Sequence, residues 1–582
     1  MISVTEGRVD MNTTFGRRAF IEFGAAGVAV AAIGALGRPT AAVAQPPRGP
    51  VTGEPWVETD VTELQQLMRS GALTSSELTE GYLSRIARLN PLLGAILETN
   101  PDAMKIAKRL DHERRMGRVR GPLHGIPVIV KDNIATADRM QTTAGSLALV
   151  GSRVPRDAVL VHQLREAGAI ILGKANLSEW ANFRGGSADF PPLNGWSGRG
   201  GFTRNPYRLD LDPCGSSSGS AASVASSLCA LAVGTETDGS ILCPSGEQSL
   251  VGIKPTVGLV SGAGIIPIAH SQDTAGPMTR SVRDAVLLLD AIRIPQTSLF
   301  GQTLPRTYTE FLDEDGLEGV RLAYDRRYVE GNFGPGNPEL LAVIDVVFDA
   351  MRSAGAEIVD VTSVDPSAPD ATGRIPFDDE FTALAFEFKI QIAEYLAPLH
   401  HTRLRTLADL IQFNIDHCAD ELKWFGQEVF EFAQATSGDL NDPEYLAARA
   451  TTLNFGKAAI DGVLKLGFDA VITPSFSFGT SPAATSGYPS MAVPVGYAAD
   501  GHPVGLWIAA SLLQEPVIIS IGYAIEQLLQ ARVAPTFAGS VPPDPKPFPG
   551  CVLPATPAVV SSLSVLPADS SRHMGHQHRR HM

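Results

Sequence analysis

The chain has 582 residues, of which 44% are hydrophobic and 19% charged, with a formal net charge of −15. This is the composition of a soluble globular protein long enough for several average domains. The acidic balance argues against a nucleic-acid partner, which would be met by a basic face.

The first feature in chain order is "FGRRAFIEFGAAGVAVAAIGALGRPTAAVAQ". Arg17 and Arg18 precede an apolar run from Phe23 to Gly37, and Ala42-Val43-Ala44 stands before Gln45. A positive flank, a short apolar core and an A-x-A site predict a secretory signal over residues 1–44, and the paired arginines point to the twin-arginine export route. The apolar run spans about 22 Å as a helix against a hydrocarbon core of about 30 Å, so no stable membrane anchor is expected after cleavage. The mature protein is therefore expected in the periplasm or outside the cell.

Helix and strand patterns then alternate. Asp60 is placed to cap a helix carrying Val61, Leu64 and Met68, with Glu63 completing a capping box and Gly71 ending it. Thr74 and Glu77 repeat the device for a helix carrying Leu78, Tyr82 and Ile86. "GIPVIVKDN" predicts a buried strand from Ile126 to Val130, with Lys131 at its end. Asp157 to Ala167 predicts a helix, and Ala169 to Leu172 the next strand. Residues 215–295 are rich in Gly, Ser, Ala and Thr, which lets backbone segments approach closely. From about 300 to 460 the pattern is more helical and charged. Strands are expected at Ala470 to Thr473 and Pro503 to Ala509, and a closing helix at Glu515 to Leu529. No Gly/Ser linker divides 55–535, so residues 45–540 are expected to form one α/β domain with its sheet covered by helices.

Residues 541–582 differ. Pro542, Pro543, Pro545, Pro547 and Pro549 make an extended coat or tail, an end holding His573, His576, His578 and His581 follows, and residues 541–582 are expected to be a disordered tail. The five cysteines include no C-x-x-C. Cys214, Cys229 and Cys243, at spacings of 15 and 14, fit no zinc pattern and are expected to be small buried residues.

Three motifs compete for the chemistry. "GAIILGKA", Gly168 to Ala175, nearly matches a phosphate-binding loop. Ala175 replaces the hydroxyl needed for Mg²⁺, however, and a strand stands where the loop should be. Gly215-Ser216-Ser217-Ser218-Gly219 fits the G-x-S-x-G pattern of a nucleophile elbow, with Ser217 as attacking serine. An elbow needs an apolar strand before it, and "NPYRLDLDP" is polar; His270, His400, His401, His417 and His502 lie in no supporting motif. The third reading is a serine activated by a neutral lysine. Lys131 follows an apolar strand that would bury it and lower its pKa. A second serine could relay the proton, and the Gly-bounded turn "GTETDGS", Gly234 to Ser240, could offer N–H groups to an oxyanion. Read alone, these parts also fit ordinary Ser/Gly loops and an ion-paired lysine.

Several ordered motifs resemble the amidase signature family. They are "GPLHGIPVIVKDN", "GAIILGKANLSEWA", "GSSSGSAASVASSLCALAVGTETDGSILCPS", "VGIKPTVGLVS", "QDTAGPMTRSVRDAV" and "TSGYPSMAVPVGYAADGHPVGLWIAA". The resemblance covers roughly 55–535 and is weakest in the middle third. It implies one large domain with a central mixed twisted β-sheet covered by helices on both faces. It also implies a Lys–Ser–Ser triad with Lys131 as base, Ser216 as relay on a cis Gly215–Ser216 bond, and Ser240 as nucleophile. The backbone N–H groups of Thr237, Asp238, Gly239 and Ser240 match the family's oxyanion hole. Ser217 becomes a hydrogen-bonding support behind the triad. Asp238 stands where glycine is commoner, Leu242 where arginine is commoner and Ser218 where glycine is commoner; none of these removes a triad group. The run is most similar to that of bacterial peptide amidases, which remove the C-terminal amide of peptides. The expected activity is hydrolysis of a small-molecule or peptide amide through an acyl-enzyme, with no metal or cofactor. An ester or small-amide hydrolase with the same triad, and a non-catalytic secreted binding protein, are the alternatives.

Overall fold

The structure is a computed structural model that describes residues 54–324, 338–361, 376–475, 477 and 479–551. The expected signal sequence and the His-rich end lie outside the described residues.

The first helices form where their caps dictate. Asp60 accepts from the Glu63 N–H at 2.7 Å, and Gly71 closes the helix Val61–Ser70 in the left-handed region at φ 78°. Thr74 and Glu77 make the full reciprocal box for the helix Ser75–Leu93. Such caps satisfy N–H groups that the helix itself leaves open.

Eleven strands make one sheet. In chain order they are β1 (Ile96–Thr99), β2 (Pro127–Lys131), β3 (Ile170–Ala175), β4 (Leu231–Glu236), β5 (Val251–Lys254), β6 (Thr274–Thr279), β7 (Arg321–Tyr324), β8 (Glu357–Asp360), β9 (Ala470–Pro474), β10 (Ser490–Tyr497) and β11 (Pro503–Ala509). Their order across the sheet is β1-β3-β2-β4-β6-β5-β10-β11-β9-β7-β8. β2 runs parallel to β3 and β4, β7 runs parallel to β8 and β9, and the pairs between these two groups are antiparallel. The sheet is thus mixed, as expected. Every residue of β2, β3, β4 and β6 is buried, so these central strands are covered on both faces.

The small-residue stretch has a steric cause. The helix Ser218–Ala225 is buried at all of its positions. A Cβ on Gly219 would stand 2.4 Å from the carbonyl oxygens of both Ala95 and Asn176. On Gly234 it would meet Met278 Sδ at 2.7 Å and Ser217 Oγ at 2.9 Å. A second apolar cluster gathers Leu384, Phe388 and Ile392 of the helix Phe377–Leu396 with Phe430, Trp180 and Phe183. Phe388 stacks on Phe430 with ring centroids 5.2 Å apart.

Two expectations are corrected. Cys214 and Cys243 form a disulfide, as do Cys418 and Cys551, leaving Cys229 as the free buried thiol. Cys214 and Cys243 lie 29 residues apart in sequence, but the fold brings their Cα atoms to 5.9 Å. The Pro-rich stretch is also not wholly a tail, because residues 541–551 lie on the domain. Phe548 packs edge-on against Phe190 at 5.3 Å and donates its N–H to the Lys423 carbonyl at 2.9 Å, and Cys551 is bonded to Cys418. The domain boundary expected at 540 is therefore too early; residues 552–582 lie outside the described residues.

Candidate active site

Lys131 ends β2, one strand from β4, and is fully buried. Its Nζ lies 2.7 Å from Ser216 Oγ, 2.9 Å from Thr235 Oγ1 and 3.2 Å from the Thr235 carbonyl oxygen. Ser216 Oγ lies 3.0 Å from Ser240 Oγ. The structure thus brings the three expected residues into one continuous chain of hydrogen bonds. The Gly215–Ser216 bond is cis.

Burial lowers the Lys131 pKa to about 7, although the charges of Glu236 and Asp273 work in the opposite direction. An ammonium removed from water loses its hydration, so the neutral amine gains ground. A lysine near neutrality can accept a proton at ordinary pH. Along the chain, Lys131 and Ser216 are 0% exposed and Ser240 is 7% exposed. Ser240 is therefore the only one of the three that keeps any exposure.

Ser240 sits in the turn between β4 and the short helix Leu242–Glu247. Gly239 takes φ 77°, a region that costs glycine nothing. Glu236 fixes the exit of the turn, where its Oε2 accepts the N–H groups of Ile241 at 2.7 Å and Leu242 at 3.0 Å. Thr237 Oγ1 donates to Asp273 Oδ1 at 2.6 Å. Asp238 accepts from Thr480 Oγ1 at 2.7 Å and Ser481 Oγ at 2.6 Å, while burial raises its pKa. The backbone N–H groups of Thr237, Asp238, Gly239 and Ser240 meet no protein acceptor among the described residues.

Ser217 is fully buried. Its N–H donates to the Ser240 carbonyl at 3.2 Å, and its hydroxyl donates to the Thr235 carbonyl at 3.1 Å. Among the described residues no histidine hydrogen-bonds it, so the elbow reading has no base. Lys174 of the rejected phosphate-loop motif is buried in β3, with its Nζ 3.0 Å from Thr142 Oγ1 and 4.0 Å from Asp132 Oδ1.

Sequence reasoning missed Thr235, which holds Lys131 through two oxygens. It stands in the quoted run "GTETDGS", but only the pairing of β2 with β4 shows that it reaches the lysine. Asn133 was missed in the same way; its Nδ2 donates to Thr235 Oγ1 at 3.0 Å. A cavity of about 900 Å³ adjoins this cluster, and Asn133, Thr235, Thr237 and Asp273 form part of its wall.

The family model described as Amidase matches residues 77–519. The chain belongs to the amidase family. It is 40% identical over 493 residues to a probable amidase of Arabidopsis thaliana, covering 82% of this chain and 92% of that one. It is similar to the X-ray structure of native peptide amidase from Stenotrophomonas maltophilia, at 45% identity and a TM-score of 0.75, with 83% of this chain and 99% of that chain covered. A glutamyl-tRNA(Gln) amidotransferase subunit of Symbiobacterium thermophilum is 32% identical over 512 residues, 82% of this chain and 98% of that one. The single α/β domain with its mixed sheet is the amidase fold, and the protein is a hydrolase acting on carbon–nitrogen bonds.

Proposed function

We propose that this amidase cleaves primary carboxamides, the C-terminal amide of peptides among them, to carboxylate and ammonia through an acyl-enzyme on Ser240. The carrying observation is the chain Lys131–Ser216–Ser240, whose two inner members are sealed and whose outer member alone keeps some exposure. Neutral Lys131 takes the Ser216 proton while Ser216 takes that of Ser240. Ser240 Oγ bonds to the amide carbon, and the oxyanion is met by the open N–H groups of residues 237–240. The relay then runs backwards, protonating the nitrogen as the C–N bond breaks. Water attacks the ester by the same relay and frees Ser240.

The peptide-amide substrate is supported by the likeness to the Stenotrophomonas maltophilia peptide amidase. We also propose that the protein is exported. The sequence of residues 1–44 supports this, and so do the two disulfides, which persist in oxidising compartments. The test is ammonia release from a panel holding a peptide amide, a small free amide and an ester, with wild-type protein and Ser240→Ala. Ammonia from the peptide amide, abolished in the variant, is expected. An ester strongly preferred over every amide would overturn the substrate reading, and an active Ser240→Ala would overturn the nucleophile.

A further inference from the structure

Asn133 lies two residues beyond Lys131 and is held at both ends. Its carbonyl accepts from the Ile266 N–H at 2.9 Å, and its Nδ2 donates to Thr235 Oγ1, the oxygen that also contacts Lys131. Asn133 is 4% exposed and lines the cavity, and its Oδ1 has no hydrogen-bond partner among the described residues. Neighbouring side-chain acceptors on the wall are committed. Thr235 Oγ1 takes two donors; Asp273 gives Oδ1 to Thr237 and Oδ2 to the N–H groups of Ile268 and Ala269.

We propose that Asn133 Oδ1 accepts an N–H of the scissile carboxamide and so selects amides over esters. The inference rests on the Lys131–Ser216–Ser240 reading above. In that reading the leaving nitrogen receives its proton from Ser216, on the side of the site where Lys131, Thr235 and Asn133 follow one another at 2.7, 2.9 and 3.0 Å. The turn of residues 237–240 presents donors, which can read a carbonyl oxygen but not an amide N–H. A primary amide brings two such hydrogens. An ester brings an oxygen whose lone pairs face Oδ1 and leave it unpaired, and a site built for an N–H rejects the analogue without one.

The test compares a primary amide and the methyl ester of one acyl group on the full chain, with fluorophosphonate labelling of Ser240 reporting an intact nucleophile. In Asn133→Ala, kcat/KM is expected to fall about thirtyfold for the amide and about threefold for the ester, a tenfold loss of preference of the size one hydrogen bond confers. Equal losses on both substrates would overturn the proposal and leave Asn133 as a support for Thr235. Should Asn133→Ala not fold, Asn133→Asp keeps an acceptor. It is expected to slow both substrates while holding their ratio within about threefold of wild type. A tenfold fall of the ratio in that variant would overturn the proposal equally. Wild-type protein that fails to label at Ser240 would instead overturn the triad reading beneath it.

Discussion

A disulfide joins Cys214 to Cys243, tying the residue two before Ser216 to the residue three after Ser240. It closes a loop of 29 residues. In the chain-entropy account, such a crosslink stabilises by about 3–4 kcal/mol. Replacing both cysteines by serine is expected to lower the unfolding midpoint by a matching amount. It is also expected to reduce kcat about tenfold, because Ser216 and Ser240 lose a shared tether and misplacement costs rate steeply. Paired thermal unfolding and ammonia-release assays check this; unchanged kcat at reduced stability would make the bond purely structural.

The Lys131 pKa near 7 is expected to set the acid side of the pH profile. In the proposed mechanism attack needs the neutral amine, so kcat/KM is expected to fall tenfold per pH unit well below 7 and to level above it. The stability sign follows from the same shift. Between about 7 and the ordinary lysine value of 10.5, the unfolded chain binds the extra proton and the folded chain does not. The contribution of Lys131 to stability therefore rises with pH through that window. A kcat/KM profile for a neutral amide, beside unfolding at matched pH, checks both. A limb near 10 would mean a charged resting lysine and would sink the base assignment.

Asp238 is expected to hold the turn of residues 237–240 from outside. Its carboxylate grips Thr480 and Ser481, which begin the helix Ser481–Ser486. Asp238→Ala frees that grip and should lower kcat by about tenfold to a hundredfold with little change in KM, the pattern of a contact made in the transition state. Asp238→Asn keeps one acceptor and should lose less. A change in KM alone would move Asp238 from positioning the turn to binding substrate.

Local structure was legible where one short stretch carries its own instruction. Pro503–Ala509 and Glu515–Leu529 appear at their expected bounds, and Asp60, Thr74 and Gly71 cap as expected, although Glu63 does not complete the box on Asp60. That Lys131, Ser216 and Ser240 meet was legible because the family's motifs are long and ordered. Contacts made across the sheet were not. Thr235 reaches Lys131 only because β4 lies beside β2, and Cys214 meets Cys243 only after the chain has passed through the helix Ser218–Ala225 and β4. Nothing in the spacing of either pair encodes the meeting. The stretch around Phe548 misled for another reason. Its prolines disfavour helix and strand, yet an extended segment can still be pinned by one ring and one disulfide.

Three serines of the site separate the competing readings. Ser240→Ala removes the oxygen proposed to attack, and Ser216→Ala breaks the path from Ser240 to Lys131. Each is expected to cost at least about a thousandfold in kcat, since members of one proton relay fail together. Ser217→Ala deletes two bonds to the Thr235 backbone, one donated to its carbonyl and one accepted from its N–H, but leaves the Ser217 N–H on the Ser240 carbonyl. About tenfold is expected there, together with a loss of about 1–3 kcal/mol for two buried hydrogen bonds. The double variant Ser216→Ala, Ser240→Ala should be no slower than the worse single variant, whereas adding Ser217→Ala to either should change the residual rate little. Residual turnover, measured with each variant's folding confirmed by thermal unfolding, distinguishes the cases. A Ser217→Ala as inactive as Ser240→Ala would return the attacking role to the serine of the G-x-S-x-G pattern, despite its complete burial.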